Sequence, residues 1–152
     1  NKFIEAFSKV YRYILNTHDK ELVEISTELN HLQPYIFLLE KRFADGLSIK
    51  INIAEKHRQR YIIPASLQML IENAIKHNIV SRHKPLHIDV HINGTDTIVV
   101  SNNLQSRETV ERSSQVGLNN IRKRYMLVSN REVTVQKSQS TFTVELPLLI
   151  LN

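Results

Sequence analysis

Three side chains of different chemistry lie close together in the middle of the chain, at Asn73, Lys76 and His77. They belong to residues 71–78, IENAIKHN, for which a helix is predicted. Side chains three and four positions apart are neighbours on a helix surface, so the amide, the ammonium group and the imidazole can face one ligand. An amide oxygen suits the hard cation Mg²⁺, and a lysine suits a phosphate group. This spacing therefore predicts a nucleotide-binding site.

The predicted helix has an apolar stripe that sets the direction in which these polar groups point. Apolar residues recur at helical spacing after Pro64, at Leu67, Leu70, Ile71, Ala74 and Ile75. Asn73 and His77 flank that stripe. We therefore expect both side chains at the margin of the hydrophobic core, where a pocket can form.

Helices are also predicted for the beginning of the chain. Apolar residues at helical spacing indicate one helix over residues 1–16 and a second from about residue 21 to residue 43. Pro34 lies inside the second helix and is expected to kink it, because proline lacks the amide donor and clashes with the preceding turn. Residues 44–46, ADG, form a stop signal for that helix.

Strands are predicted for most of the remaining chain. Apolar and polar residues alternate from Leu47 to Ile53, which is typical of a half-buried strand. The later predicted elements are a hairpin of residues 86–92 and 97–100, a helix over residues 116–128, and a hairpin of residues 132–136 and 141–148. This order predicts an α/β (α+β) two-layer sandwich with a mostly antiparallel sheet, helices on one face, and further helices before it.

The composition is that of a folded globular protein, with 152 residues of which 41% are hydrophobic and 23% charged. The net charge of +5 comes from scattered basic residues without a long run of like charges, so nucleic acid is not expected as a partner. Cysteine is absent, which excludes disulfides and thiolate metal sites. No apolar run approaches the ~20 residues of a membrane span, and no signal peptide is recognised. The chain begins in mid-pattern at Asn1, so we expect it to be a piece of a longer protein.

The histidines outside the central helix do not predict a metal site. His83, His87 and His91 follow one another at intervals of four, a spacing that would suit a metal ion on a helix. Residues 86–92 are predicted to form a strand, however, where these side chains are scattered and exposed.

In its motifs and their order, the chain resembles the cytoplasmic part of LytS-like sensor histidine kinases. The ATP-binding domain of that family has the Bergerat (GHKL) fold. Residues 63–77 resemble its N-box, residues 116–121 with Arg124 its last glycine box, and Phe142 with residues 146–147 its closing strand. The beginning of the chain resembles the end of the dimerisation region and its linking helix. The resemblance implies two parts: residues 1–45 as the C-terminal part of the helical dimerisation and linker region, and residues 46–152 as the ATP-binding catalytic domain.

The resemblance also implies a role for each matched position. Asn73 would ligate Mg²⁺, Lys76 would contact phosphate and His77 would lie beside the adenine. Glu72 would polarise a water molecule, so Glu72 and Asn73 are the candidate catalytic residues, although a surface carboxylate paired with Lys76 is an equal alternative for Glu72. The further ATP-binding candidates that the resemblance implies are Asn102, Gly117, Leu118, Asn120 and Ser140. For Asn73, His77 and Ser140 the alternatives are an ordinary helix-surface amide, a histidine at the core margin and a turn serine.

The sequence departs from the family pattern at two sites. Asn102 stands where the family has an aspartate that accepts a hydrogen bond from the adenine amino group, and Leu104 stands at a glycine position. The amide oxygen of Asn102 is still an acceptor. In the last glycine box only Gly117 remains, for a loop that would present backbone amides to phosphate.

The resemblance predicts an enzyme, a histidine protein kinase of a two-component system that uses ATP and Mg²⁺. The γ-phosphoryl group would pass to a histidine outside this chain, because the family's motif Pro-His-Phe-Leu-Phe-Asn does not occur here. A response regulator of LytTR type would receive it next. The resemblance further implies a homodimer through the dimerisation helices and a cytoplasmic domain whose parent is anchored in the bacterial inner membrane. The alternative is a degenerate, non-catalytic GHKL-fold module for signalling or dimerisation.

Overall fold

The computed structural model describes residues 2, 4–6, 8–9, 22–107 and 113–151. The described residues among the first nine are helical, and the rest of the helix predicted over residues 1–16 lies outside the described part. No helix in the described part of the chain has the length and apolar character needed to cross a membrane.

Seven strands and three longer helices follow one another along the described chain. They are β1 (Val23–Glu24), α1 (Ile25–Phe43), β2 (Leu47–Asn52), β3 (Tyr61–Ile62), α2 (Ser66–His77), β4 (Leu86–Asn93), β5 (Thr97–Asn103), α3 (Ser113–Ser129), β6 (Thr134–Lys137) and β7 (Thr141–Pro147), with short 3-10 turns at Ala44–Gly46 and Glu55–His57. The helix with the N-box motif is α2. The two predicted hairpins are β4–β5 and β6–β7.

The main sheet has five strands in the order β2-β4-β5-β7-β6. Only the pair β2–β4 is parallel, and the other three neighbouring pairs are antiparallel. β1 and β3 form a separate two-stranded antiparallel sheet. The predicted mostly antiparallel sheet is therefore confirmed.

One face of the main sheet packs against the helices and the other faces solvent. In β4, Leu86, Ile88 and Val90 are buried while His87 and Asp89 between them are exposed. Successive side chains of a strand point to opposite faces, so this alternation assigns the buried side to the helix layer. The described residues contain no group of three or more His, Asp and Glu side chains that could hold a metal ion.

The beginning of α1 differs from the prediction, because the helix starts at Ile25 instead of near residue 21. Val23 and Glu24 are extended and pair with Ile62 and Tyr61. This pairing joins positions far apart in the sequence, which helical periodicity alone does not reveal. The helix then continues through Pro34 to Phe43.

The helix α1 belongs to the same hydrophobic core as the sheet. Its buried residues Ile25, Leu29, Leu32 and Leu39 are part of one cluster with residues of α2, α3 and the main sheet. Residues 25–43 thus pack onto the segment after residue 46. The division into a dimerisation and linker region before residue 46 and an ATP-binding domain after it stays a prediction.

Candidate functional site

A cavity of about 430 Å³ opens where α2, α3 and the β6–β7 side of the sheet meet. Each of these elements contributes side chains, and the segment after β5 contributes two more. The lining residues are Asn73, Ala74, His77, Asn78, Leu104, Ser106, Leu118, Asn119, Arg122, Val135, Lys137 and Phe142.

The lining of this cavity combines apolar surface with positive charge. Leu104, Leu118 and Phe142 supply apolar contacts, while Arg122 and Lys137 supply two cations. None of the described residues that line the cavity is an aspartate or glutamate. This arrangement suits a ligand with a flat apolar part and an anionic part, because the cations attract the anion and the apolar side chains cover the ring.

A second cavity of about 170 Å³ lies on the other side of the N-box residues. It is lined by Met69, Leu70, Glu72, Asn73, Lys76, Gly117, Leu118 and Ile121. Asn73 and Leu118 line both cavities. The candidates on α2 are therefore divided: His77 lines the larger cavity, Lys76 the smaller one, and Asn73 lies at their junction.

The side chains of Asn73 and His77 are hydrogen bonded to each other, with 3.1 Å between Nε2 and Oδ1. Burial lowers the pKa of His77, and the positive charges of Lys76 and Lys137 lower it further. His77 is therefore neutral at neutral pH. In the tautomer with the proton on Nε2, its ring donates to the amide oxygen of Asn73.

Glu72 is exposed at the surface of α2 and lines the smaller cavity. In the described part of the chain no ion pair joins Glu72 to Lys76. The structure therefore does not contain the ion pair that was the alternative for Glu72. The Glu72 side chain lines the smaller cavity together with Asn73.

Asn102 is buried on the helix-facing side of β5, with only 5% of its surface exposed. It lies opposite Ile88 on one neighbouring strand and Phe142 on the other. Its Nδ2 donates to the Asn103 carbonyl oxygen at 2.8 Å. Asn102 is thus adjacent to the larger cavity through Phe142 without being one of its lining residues.

Three other candidates lie differently from what the motif predicts. Gly117 lies inside α3 instead of a loop, and a Cβ atom there would meet only Met69 Cε at 4.0 Å. Asn120 and Ser140 are exposed and line neither cavity. The Ser140 carbonyl accepts a backbone hydrogen bond from Leu104 at 2.8 Å, which holds the turn after β6 against the end of β5.

Arg122, Lys137 and Phe142 line the cavity, although the sequence predicted none of them as a binding residue. Arg122 follows Leu118 by one helical turn, and that spacing is the local signal available for it. Lys137 and Phe142 are register partners in the β6–β7 hairpin. Their approach to α2 depends on strand order, which short motifs do not contain.

Asn78, at the end of α2, fixes the rim of the cavity. Its side chain donates to the Ala74 carbonyl and accepts from the Gln105 amide, both at 2.8 Å. Arg107 Nε donates to the Asn78 carbonyl at 2.8 Å. Residues 104–107 are thereby attached to the helix that carries the N-box.

Tyr125 positions α3 against the start of α2. The side chain is fully buried, and its hydroxyl oxygen accepts from the Ile63 amide at 3.3 Å. Burial raises the pKa of this phenol, so it remains protonated. Leu118 and Arg122 are held beside Asn73 by this packing.

The chain is similar in sequence to sensor kinases. A family model described as "Histidine kinase" matches residues 1–47. Over 119 residues the chain is 29% identical to the "Sensor protein LytS" of Bacillus cereus, covering 76% of this chain and 20% of that protein. Over 74 residues it is 38% identical to the "Sensor protein kinase HptS" of Staphylococcus aureus, covering 49% of this chain and 14% of that protein. The aligned part is thus a fifth of these curated relatives or less.

Solved structures share the fold at low sequence identity. The "cytoplasmic segment of histidine kinase QseC" superposes with a TM-score of 0.58 and 15% identity, covering 84% of this chain and 76% of that chain. The "catalytic domain of histidine kinase ThkA" superposes with a TM-score of 0.54 and 14% identity, covering 83% of this chain and 97% of that chain. The sequence relatives confirm the resemblance to LytS-like sensor histidine kinases, and the solved structures show that the chain has the α/β sandwich fold of histidine kinase catalytic domains.

Proposed function

We propose that this chain binds Mg-ATP in the larger cavity and acts as the ATP-binding catalytic domain of a two-component sensor histidine kinase. The observation that carries the proposal is the cavity itself, which lies beside the N-box residues Asn73 and His77 and contains two cations but no carboxylate among its described lining residues. The sequence relatives named as sensor kinases support the same conclusion.

The two chemical parts of the cavity fit the two parts of a nucleotide. The apolar side chains of Leu118 and Phe142 and the neutral ring of His77 would cover the adenine. Lys137 and Arg122 would attract the phosphates, and Lys76 would reach them from the smaller cavity. Asn102, beside Phe142, is the candidate acceptor for the adenine amino group.

The amide oxygen of Asn73 fits the requirement of Mg²⁺ for oxygen ligands. It lies at the junction of the two cavities, where phosphates from the larger cavity would approach Lys76. This oxygen has two lone pairs, so it can accept the hydrogen bond from His77 on one of them and offer the other to an ion. When bound, Mg²⁺ would neutralise part of the negative charge of the phosphates.

In the proposed reaction the γ-phosphoryl group passes from ATP to a ring nitrogen of a histidine outside this chain, with ADP as the leaving group, and then from that histidine to a response regulator. Such transfers need positioning and electrostatic stabilisation more than covalent help from the protein. Asn73 would orient the nucleotide, and the exposed Glu72 beside it would polarise the incoming acceptor histidine. We further propose that the regulator is of LytTR type, that the dimerisation helices form a homodimer, and that the parent protein is anchored in the bacterial inner membrane.

One feature favours a second candidate function, a non-catalytic signalling or dimerisation module. Leu104 occupies a position where the family has glycine, and its side chain lines the larger cavity. A narrower adenine site would weaken binding and leave the fold as a scaffold. The full-length protein separates the two candidates, because a kinase becomes phosphorylated in the presence of ATP and a scaffold does not.

The binding proposal is tested by titrating the chain with ATP, with and without Mg²⁺. We expect saturable binding that Mg²⁺ strengthens in the wild type but not in Asn73→Ala. Asn52→Ala, at an exposed amide on the outer face of β2, serves as the control. Absence of binding at millimolar Mg-ATP, or equal behaviour of Asn73→Ala and the wild type, would contradict the proposal.

A further inference from the structure

Glu28 is a completely buried carboxylate on α1 that is bonded to the start of α2. Its Oε1 accepts from the Ala65 amide at 2.8 Å, and its Oε2 accepts from the Leu67 amide at 2.9 Å. The two hydrogen bonds join positions 37 and 39 residues apart in the sequence. One side chain thus connects the helix that precedes the sheet to the helix that carries the N-box.

The start of α2 requires such a partner. The first amides of a helix have no carbonyl acceptor within the helix, and the N-cap residue Ala65 provides no side-chain hydrogen bond. Ala65 also adopts a left-handed conformation, with φ of 65°. A carboxylate at this end satisfies the free amides and interacts favourably with the helix dipole. In this protein the cap is supplied by α1.

The cap fixes the position of the site residues on α2. Asn73 lies six residues after Leu67 on the same helix, and His77 lies one turn further. Ser66–His77 is one continuous hydrogen-bonded helix, so a shift at its first turn would be transmitted to Asn73 and change its position relative to α3 and the sheet. The geometry of the larger cavity therefore depends on the contact between Glu28 and α2.

We propose that Glu28 is a positioning residue for the nucleotide site, and that nucleotide affinity depends on the position of α1 through its carboxylate. The inference rests on the proposed function, since it concerns binding in the same cavity. In the sequence, α1 follows the N-terminal segment and precedes the strands of the main sheet. A displacement of α1 would therefore reach Asn73 through Glu28 and α2.

The test compares Glu28→Gln with the wild type in Mg-ATP binding, at a temperature where both are folded. The glutamine amide retains one acceptor but presents a donor to the second amide, so the paired cap is lost. We expect nucleotide affinity to fall by about tenfold, the size typical of couplings between sites. Val99→Ala, which truncates a buried apolar side chain on β5 away from α1, is the control for lost stability and should change affinity by less than about twofold.

A spectroscopic measurement adds a readout that a general loss of stability would not change. The side-chain amide NMR signals of Asn73 in the nucleotide-free protein should shift in Glu28→Gln and stay in place in Val99→Ala. Equal affinities for Glu28→Gln and the wild type, or equal losses in the two variants, would overturn the inference. Failure of the wild type to bind Mg-ATP would instead contradict the proposed function.

If Glu28→Gln does not fold, hydrogen exchange in the wild type decides the question. Coupling is reciprocal, so bound Mg-ATP should in turn protect the capped amides. The factor by which Mg-ATP slows exchange of the Leu67 amide should be at least about three times the factor for the Ile88 amide in β4. An equal factor at both amides would overturn the inference, since general stabilisation by a ligand affects both alike.

Discussion

Replacing Tyr125 by phenylalanine removes one oxygen atom from the contact between α3 and the start of α2. The hydroxyl accepts from the Ile63 amide, and both Tyr125 and Ile63 are fully buried. The substitution leaves the ring in place, so the hydrophobic contacts remain. The Ile63 amide, however, loses the acceptor that the structure gives it and stays out of reach of water.

The expected loss of stability follows from that unsatisfied amide. A buried donor without a partner costs about 1–3 kcal/mol, and the long 3.3 Å bond favours the lower half of that range. With a urea m-value of about 2 kcal/mol/M, a loss of about 1–2 kcal/mol lowers the midpoint of unfolding by about 0.5–1 M. Nucleotide affinity should fall as well, because α3 carries Leu118 and Arg122.

Equilibrium unfolding in urea, followed by circular dichroism, measures the effect. Tyr61→Phe is the matched control, since Tyr61 is half-buried and its hydroxyl makes no hydrogen bond among the described residues. The midpoint of the control should change by less than about 0.2 M, a few tenths of a kcal/mol. Equal midpoints for Tyr125→Phe and Tyr61→Phe would refute the role assigned to the Tyr125 hydroxyl.

Four further substitutions test other parts of the structure. Since burial, Lys76 and Lys137 lower the pKa of His77 below its usual 6.5, the stability due to its neutral form is present above pH 6.5. That contribution is lost as pH falls toward the lower pKa that His77 has in the folded protein. The urea midpoint of the wild type should therefore fall between pH 7 and 5 by more than the midpoint of His77→Gln. Gly117→Ala should raise stability by about 0.5–1 kcal/mol, because helical glycine is unfavourable and the space is open; a lower urea midpoint would contradict its place in α3. Asn78→Ala should cost about 1–3 kcal/mol and speed exchange of the Gln105 amide, which loses its acceptor; unchanged exchange would contradict the anchoring role. Lys137→Met should weaken Mg-ATP binding about two- to fivefold, the value of an exposed charge pair, whereas Lys50→Met on the outer sheet face should not.

Local periodicity predicts the parts of this fold that depend on neighbouring residues. The alternation from Leu47, the two hairpins and the apolar stripe of α2 all appear in the structure, because burial of one face imposes each pattern. The start of α1 was predicted incorrectly, since Val23 pairs with Ile62 and no local pattern encodes that partner. The strand β5 also extends to Asn103, beyond the predicted end at residue 100.

In the candidate site, too, only the residues that are close together in the sequence could be predicted. Asn73, Lys76 and His77 are neighbours on one helix, so their spacing alone indicates a ligand-binding surface. Lys137 and Phe142 reach the cavity through the order of the strands. The cap formed by Glu28 likewise needs α1 to fold back on α2, and no spacing rule connects positions so far apart in the sequence.

The central claim is that Mg-ATP binds in the cavity between α2, α3 and the β6–β7 hairpin. Mapping backbone amide chemical shifts of the isotope-labelled chain during a Mg-ATP titration tests it most directly. The account predicts the largest changes at His77, Asn78 and Phe142, with His87 and Asp89 on the opposite face of the sheet unchanged. Changes centred on the outer face, or no saturable change at millimolar Mg-ATP, would contradict it.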